Sequence, residues 1–444
     1  MTVASNSIDL HKNFVEQFGI FEKELNGKSL TDFHQTRKKA IRSFEQLGMP
    51  DRKTENYKYT PITRLLKKQF NFDYASPGIP AISKAAISEL LIKGLDAYNV
   101  VLINGRFSQE LSNLDITLKG LEITDFKSAY ESQPDLVGSY FAKYAEFDKD
   151  PFTALNTAFS LDGTFIKVKD NLVVDKPIVI YSIAESTAAN WAVQPRNLII
   201  AGKNSQASII ENYIHHGNEA AFTNTVSEII VDENAYIDYY KLEIHGDNAY
   251  HVGNTQVYQA GKSTFNTTTI SLAGSLIRNN LNVVLDDEHC EANMHGLYLL
   301  NDRQHVDNQT MVDHRKPHSY SNELYKGILG GNSTGVFNGK IYVRQDAQKT
   351  NAFQSNKNIL LSDEASINTK PQLEIWADDV KCSHGATTGQ LDKEQLFYLR
   401  SRGLGEQEAR SLLLYAFAID ALENVKIDVL KEYIDHHISI RLNR

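Results

Sequence analysis

Asn197-Leu198-Ile199-Ile200, Ser227-Glu228-Ile229-Ile230-Val231, Leu281-Asn282-Val283-Val284-Leu285 and Gly339-Lys340-Ile341-Tyr342-Val343 belong to a series of short apolar runs between Phe152 and Ile375. Thr164-Phe165-Ile166-Lys167-Val168 and Pro177-Ile178-Val179-Ile180-Tyr181 precede them. Each run predicts a strand of about 4–7 residues, bounded by polar or glycine turns. Thr, Asn, Ser, Gln, Ile and Val dominate the region, and almost no helical periodicity interrupts roughly 220 residues. That is too many strands for one flat open sheet. A large sandwich, a propeller or a β-solenoid are the solutions left. No repeat of fixed length chooses among them. The polar stretches Asn266-Thr267-Thr268-Thr269 and Gln354-Ser355-Asn356-Lys357-Asn358 lean toward a solenoid, where side chains stack in ladders.

Helical patterns flank this centre. Ser29-Leu30-Thr31-Asp32 offers a cap, and Phe33, Arg37, Ala40, Ile41, Phe44 and Leu47 recur at helical spacing. Gly48-Met49-Pro50 stops that helix. A second pattern over Ile82 to Lys93 precedes a strand at Asn99-Val100-Val101-Leu102-Ile103, which Asn104-Gly105 ends in a turn. Beyond the centre, Asp392 and Gln395 fit a capping box and Gly403 fits a stop. Glu406 to Val425 then carries Ala409, Leu412, Leu413, Ala416, Phe417, Ile419 and Leu422 on or near one face, and Ile427 to Ile440 reads as a last amphipathic helix. The division expected is 1–150 helical and mixed, 151–388 strand-built, and 389–444 helical. The final helices are expected to cap the end of the solenoid, to dock a partner, or both.

The chain has 444 residues, 41% hydrophobic and 23% charged, with a net charge of −9. With no basic arm, nucleic acid and anionic membrane are poor candidates for the main partner. No apolar run approaches the ~20 residues of a membrane helix, and Met1 to Leu10 has no apolar signal core. Two cysteines, Cys290 and Cys382, make no disulfide framework. A cytoplasmic protein is the expectation.

Asp378-Asp379-Val380-Lys381-Cys382-Ser383-His384-Gly385-Ala386-Thr387-Thr388-Gly389 holds the chemistry. If this stretch is extended, Cys382 and His384 project to one side, about 6–7 Å apart at the backbone. A thiolate and an imidazole so placed can converge on a soft metal or an iron–sulfur species. The competing reading is a buried cysteine beside a hydrogen-bonded histidine. A self-contained cluster needs about four such ligands, more than two cysteines supply.

Asn368 to Val380 before this stretch and Leu396-Phe397-Tyr398-Leu399-Arg400-Ser401-Arg402-Gly403 after it resemble the SufB/SufD family of iron–sulfur cluster assembly proteins. The resemblance extends through Glu55-Asn56-Tyr57-Lys58-Tyr59-Thr60, Asn104-Gly105-Arg106-Phe107, Phe152 to Phe159 and Gln348 to Leu361. It implies a right-handed parallel β-helix between helical N- and C-terminal regions. It implies an assembly scaffold rather than an enzyme, with ATPase activity in the partner SufC. Only two cysteines favour the SufD branch over SufB. Pairing with SufB through the β-helices, docking of SufC on the C-terminal helices, and a homodimer when alone follow from the same resemblance. It places His384, and with it Cys382, at the SufB interface, where they hold a transient iron or iron–sulfur cluster shared with SufB. No tightly bound cofactor is implied.

Other constellations carry less. His289, His295, His305, His314 and His318 cluster in sequence, but their spacing matches no compact ligand motif. Gly261-Lys262-Ser263-Thr264 imitates the end of a phosphate loop, yet Gln256 stands where the first glycine is required. Asp286-Asp287 and Asp378-Asp379, if on strands, point to opposite faces. Two alternatives stay open: a polysaccharide-acting β-helix enzyme, and a structural adaptor in which Cys382 and His384 only pack.

Overall fold

The computed structural model describes residues 10–25, 32–65, 67–72 and 82–443. The expected cap residues Ser29 to Thr31, and the Met1 to Leu10 stretch up to residue 9, lie outside the described residues.

The chain zigzags between two sheets. In the first, Gly163–Val168, Arg196–Ala201, Ala221–Val231, Ala249–Gln259, Leu276–Leu285, His305–His314, Thr334–Val343 and Ser366–Ile375 pair in parallel. In the second, Tyr98–Ile103, Ile178–Ser186, Gln206–Gly217, Tyr236–Ile244, Thr264–Ala273, Glu291–Leu300, Tyr320–Leu329, Asn351–Leu360 and Lys381–Gly389 do the same. From Gln206 on, successive strands alternate between the sheets, and each pairs with the strand one turn earlier. The result is a parallel β-helix of about eight turns, mainly β at 42% strand against 26% helix.

The register explains why no repeat length is visible. Ile199, Ile229, Val257, Val283, Val312, Ile341 and Leu373 form one column of the inner wall. The steps along it are 30, 28, 26, 29, 29 and 32 residues. Turn length varies while the wall stays in register. Ala207, Ile209, Ile237, Phe265, Ala292, Met294 and Ala352 belong to the same core.

Most of these strands are longer than the 4–7 residues expected; the eight from Thr264–Ala273 to Ser366–Ile375 have ten each. The apolar runs mark only the part of each strand that faces the apolar core. Asn, Thr and Ser continue the strand where the inner wall is polar, or where other segments cover the outside. Asn279, for example, is buried and donates to Glu243 Oε2 at 2.8 Å.

The N-terminal end is closed. Asn104 (φ 48°) and Gly105 (φ 78°) make the expected tight turn into Arg106–Phe107, and Leu121–Asp125 pairs antiparallel with Gly163–Val168. The second expected helix is shorter than its pattern, Lys84–Leu90, capped by Ser83. Helices Leu10–Glu24, Asp32–Leu47 and Pro151–Phe159 cover the first sheet with Phe14, Phe44, Phe152 and Phe159, against Phe222 and Leu276. A fully buried ion pair, Arg196 with Glu228, spans two neighbouring strands of the first sheet, and its remaining hydrogen bonds tie that sheet to the N-terminal layer. The Glu228 carboxylate also accepts the backbone N–H groups of Ala142, Tyr144 and Ala145 at 3.0, 3.1 and 3.0 Å. Arg196 donates in addition to Asn156 Oδ1 and Thr157 Oγ1.

The C-terminal helices do not cap the end of the solenoid, contrary to one of the two expectations. Glu406–Ile419, the short turn Asp420–Leu422 and Asp428–Leu442 lie on the outer face of the second sheet. Leu414, Ala418, Leu422, Leu430, Ile434 and Ile438 pack there with Tyr240, Leu242, Ile270, Leu297, Leu299 and Ile328. The physical reason is the sheet's own sequence: its outward residues are aliphatic and need cover. Lys326 reinforces the seam, donating to Phe417 O at 2.8 Å and pairing with Asp420. Lys393–Ser401, capped by Asp392, buries none of its residues. Among the described residues no helix is long and apolar enough to cross a membrane.

Candidate functional site

Cys382 and His384 lie on Lys381–Gly389, the last strand of the second sheet. Their partners one rung back are Ala352 and Gln354, both buried, whereas Phe353 between them is exposed. In-register side chains share a face, so Cys382 and His384 continue the inner wall. No rung follows. Cys382 is half-buried against the core, and burial pushes its thiol up from the ordinary value, opposed by the Ala352 amide. His384 is exposed. Its neighbour across the rung, Ser366–Ile375, is the last strand of the first sheet. Two strand edges therefore end together around an open mouth that holds a thiol and an imidazole. Ile375 and Trp376 are exposed beside it.

The expected geometry is met: the stretch is extended and the pair shares a face. Two donors do not complete a metal site, and among the described residues no group of three or more His, Cys, Asp and Glu side chains could hold a metal ion. A thiol and an imidazole are donors of the kind iron accepts.

Directly beneath His384, the inner wall carries Gln354 and then Glu323. Sequence reading missed Glu323, because only the rung register shows that it points inward. Gln354 Nε2 donates to Glu323 Oε2 at 2.7 Å. Burial raises the Glu323 carboxyl from 4.5 to about 7, while hydrogen bonds from Thr310 and Gln354 act the other way. The folded chain thus holds a proton that the unfolded chain has released between about pH 4.5 and about 7. Stability falls as pH rises through that window and levels off above it. Glu323→Gln is expected to remove this loss. Its stability relative to the parent should rise by about 3 kcal/mol between pH 4.5 and pH 8, measured by urea unfolding at both values.

The five clustered histidines go to separate environments. His289 and His318 stack on successive turns at 5.0 Å between centroids. His295 faces outward and meets Asn424 at 2.9 Å. His305 and Asp307 lie on one strand face, and both meet the Thr60 hydroxyl, at 2.9 and 2.6 Å. His314 points inward to Ser321 at 2.8 Å. Cys290 is buried, its sulfur 3.2 Å from the carbonyls of Ala260 and Asp287. Gly261 to Ser263 form a turn, and Thr264 opens a strand, not the helix a phosphate loop requires. Asp286-Asp287 and Asp378-Asp379 lie in turns, so the strand-face argument does not apply to them.

Two family descriptions match. Residues 183–417 match the SUF system FeS cluster assembly, SufBD core domain, and residues 8–180 match the SufBD protein N-terminal region. An iron–sulfur cluster assembly SufBD family protein of Synechocystis is 31% identical over 403 residues, covering 89% of this chain and 88% of that protein. The iron–sulfur cluster assembly protein SufD of Escherichia coli is 31% identical over 398 residues, covering 89% and 90%. SufD of Bacillus subtilis is 29% identical over 343 residues, covering 74% of each. These matches favour assembly over the polysaccharide-acting alternative. From the two family matches and the two-sheet β-helix that carries them, the chain belongs to the SufBD family of the SUF iron–sulfur cluster assembly system.

Proposed function

We propose that this chain is a cytosolic, SufD-like scaffold of the SUF system, not itself an enzyme. It pairs with SufB through the open end of the β-helix and presents His384 and Cys382 to iron or a forming cluster shared between the two chains. The observation that carries this reading is the open last rung: a thiol and an imidazole sit between two strand edges that have no neighbour among the described residues. Unpaired edges recruit another chain's strands, and the missing ligands enter with that chain. A site divided between subunits also lets the cargo leave when the subunits part. Without SufB, a second copy of the chain covers the same edges, giving a homodimer.

The ATPase SufC docks on the C-terminal helices. Lys393–Ser401 buries nothing, Phe397 is 74% and Tyr398 58% exposed, and Leu412 is exposed on the next helix. Large aromatic side chains left in solvent are the anchors expected at a partner surface. ATP-driven dimerisation of SufC then pulls on helices that are keyed to the second sheet through Lys326 and Asp420, and strains the interface at the last rung.

The test is co-expression with SufB and SufC. The three chains are expected to purify together. Phe397→Asp/Tyr398→Asp should weaken SufC binding at least about tenfold and leave SufB bound. Retention of SufC by the double variant would remove the helix from the docking surface. Failure of all three to associate would sink the scaffold reading.

A further inference from the structure

The inner wall below the open mouth is a column of three: His384, Gln354 and Glu323, in register on successive rungs. Adjacent rungs are about 4.8 Å apart, within reach for long side chains to bond directly. Gln354 and Glu323 are 3% and 1% exposed. The Gln354 amide is used at one end only. Its Nε2 donates back to Glu323 Oε2 at 2.7 Å, whereas its Oε1 has no hydrogen-bond partner among the described residues. A buried carboxamide oxygen left bare costs about 1–3 kcal/mol. The facing sheet leaves room for this amide: a Cβ at Gly339 would stand 2.1 Å from Gln354 Nε2 and 3.0 Å from Oε1. An ionised carboxylate only accepts hydrogen bonds, so Glu323 holds the NH2 end of the amide toward itself. The oxygen is the end left for the next rung, and the side chain on that rung is His384.

We propose that Gln354 is a positioning residue for His384, and that Glu323 fixes its amide. When a partner closes the open mouth, Gln354 Oε1 accepts the N–H of one ring nitrogen of His384. That bond sets the tautomer and turns the lone pair of the other nitrogen toward iron. The inference rests on the reading of His384 as an iron ligand. It adds that the imidazole is oriented from inside the solenoid. A histidine with an acceptor behind it is a stronger base and a better-aimed ligand, and loss of such a partner typically weakens metal binding 10–100-fold.

The experiment uses the assembled complex with SufB and SufC at pH 8, with Co(II) as probe, its affinity read by competition and its coordination by the visible ligand-field spectrum. Gln354→Met keeps the length and removes the acceptor; binding should weaken 10–100-fold with a changed spectrum. The exchange Gln354→Glu with Glu323→Gln keeps an acceptor oxygen beneath His384 and an amide donor facing it, and should bind within about threefold of the parent. Parent-like affinity and spectrum in Gln354→Met overturn the proposal, as does an exchanged complex that is folded yet as weak as Gln354→Met. Should Gln354→Met not fold, Gln354→Asn, whose oxygen is withdrawn by one methylene, carries the same expectation and the same refutation. His384→Ala separates the two levels. If it binds Co(II) like the parent, the ligand reading fails and the positioning proposal falls with it. If it loses Co(II) while Gln354→Met does not, only the positioning proposal fails.

Discussion

Glu228→Ala is expected to destabilise the chain by about 3–5 kcal/mol, read as a lower urea midpoint with the N-terminal layer released first. Glu228 and Arg196 are both fully buried, so removing the carboxylate leaves a guanidinium in the interior with no countercharge. The Phe141 ring 4.9 Å from that guanidinium and the oxygens of Asn156 and Thr157 compensate only in part. Three backbone donors, from Ala142, Tyr144 and Ala145, lose their acceptor at the same time. Each buried orphan costs about 1–3 kcal/mol when nothing relaxes. Relaxation is available because the donors lie in a connecting segment, which is why the sum is not reached. Glu228→Gln keeps two polar ends and should cost less than the alanine. A loss under about 1 kcal/mol in Glu228→Ala would show that water or a neighbour replaces the carboxylate, and that the two layers are joined mainly by the aromatic packing around Phe14, Phe44 and Phe159.

The division of labour between sequence and structure follows from the chemistry of the inner wall. Apolar columns such as Ile199, Ile229, Val257 and Val283 announce strands by composition alone, and the tight turn at Asn104-Gly105 is legible from the residue types its positive φ values demand. Their arrangement in two sheets is not legible this way, because steps of 26 to 32 residues blur any period. The side-wall position of the C-terminal helices was equally hidden. An amphipathic helix shows that it has an apolar face, and the face it meets on Tyr240, Leu242 and Ile270 is set by the sheet. At the site, spacing placed Cys382 and His384 on one face of a strand. It could not place Glu323 beneath them. Glu323 stands 61 positions before His384 in the chain but two rungs away in space. Composition also reads a glutamate as solvated, and this one is buried.

His384→Ala is expected to reduce cluster yield in the co-expressed complex at least tenfold, judged by iron–sulfur absorbance, with association and thermal midpoint unchanged. The second half of that expectation is structural. His384 is exposed, and among the described residues no hydrogen bond or ion pair holds it; exposed substitutions of this kind usually fall within ±0.5 kcal/mol. The main-chain pairing of Lys381–Gly389 with Asn351–Leu360 does not depend on its ring. The first half follows from donor chemistry. On the proposed reading of Cys382 and His384 as the two donors, removing one leaves a single ligand, too little to hold iron while partner groups assemble around it. Cys382→Ser should cost less than His384→Ala. Burial raises the Cys382 thiol, so near neutral pH it is protonated and must lose a proton before it binds metal. Normal cluster yield from an intact His384→Ala complex would leave a structural adaptor, with Cys382 and His384 serving only to finish the inner wall.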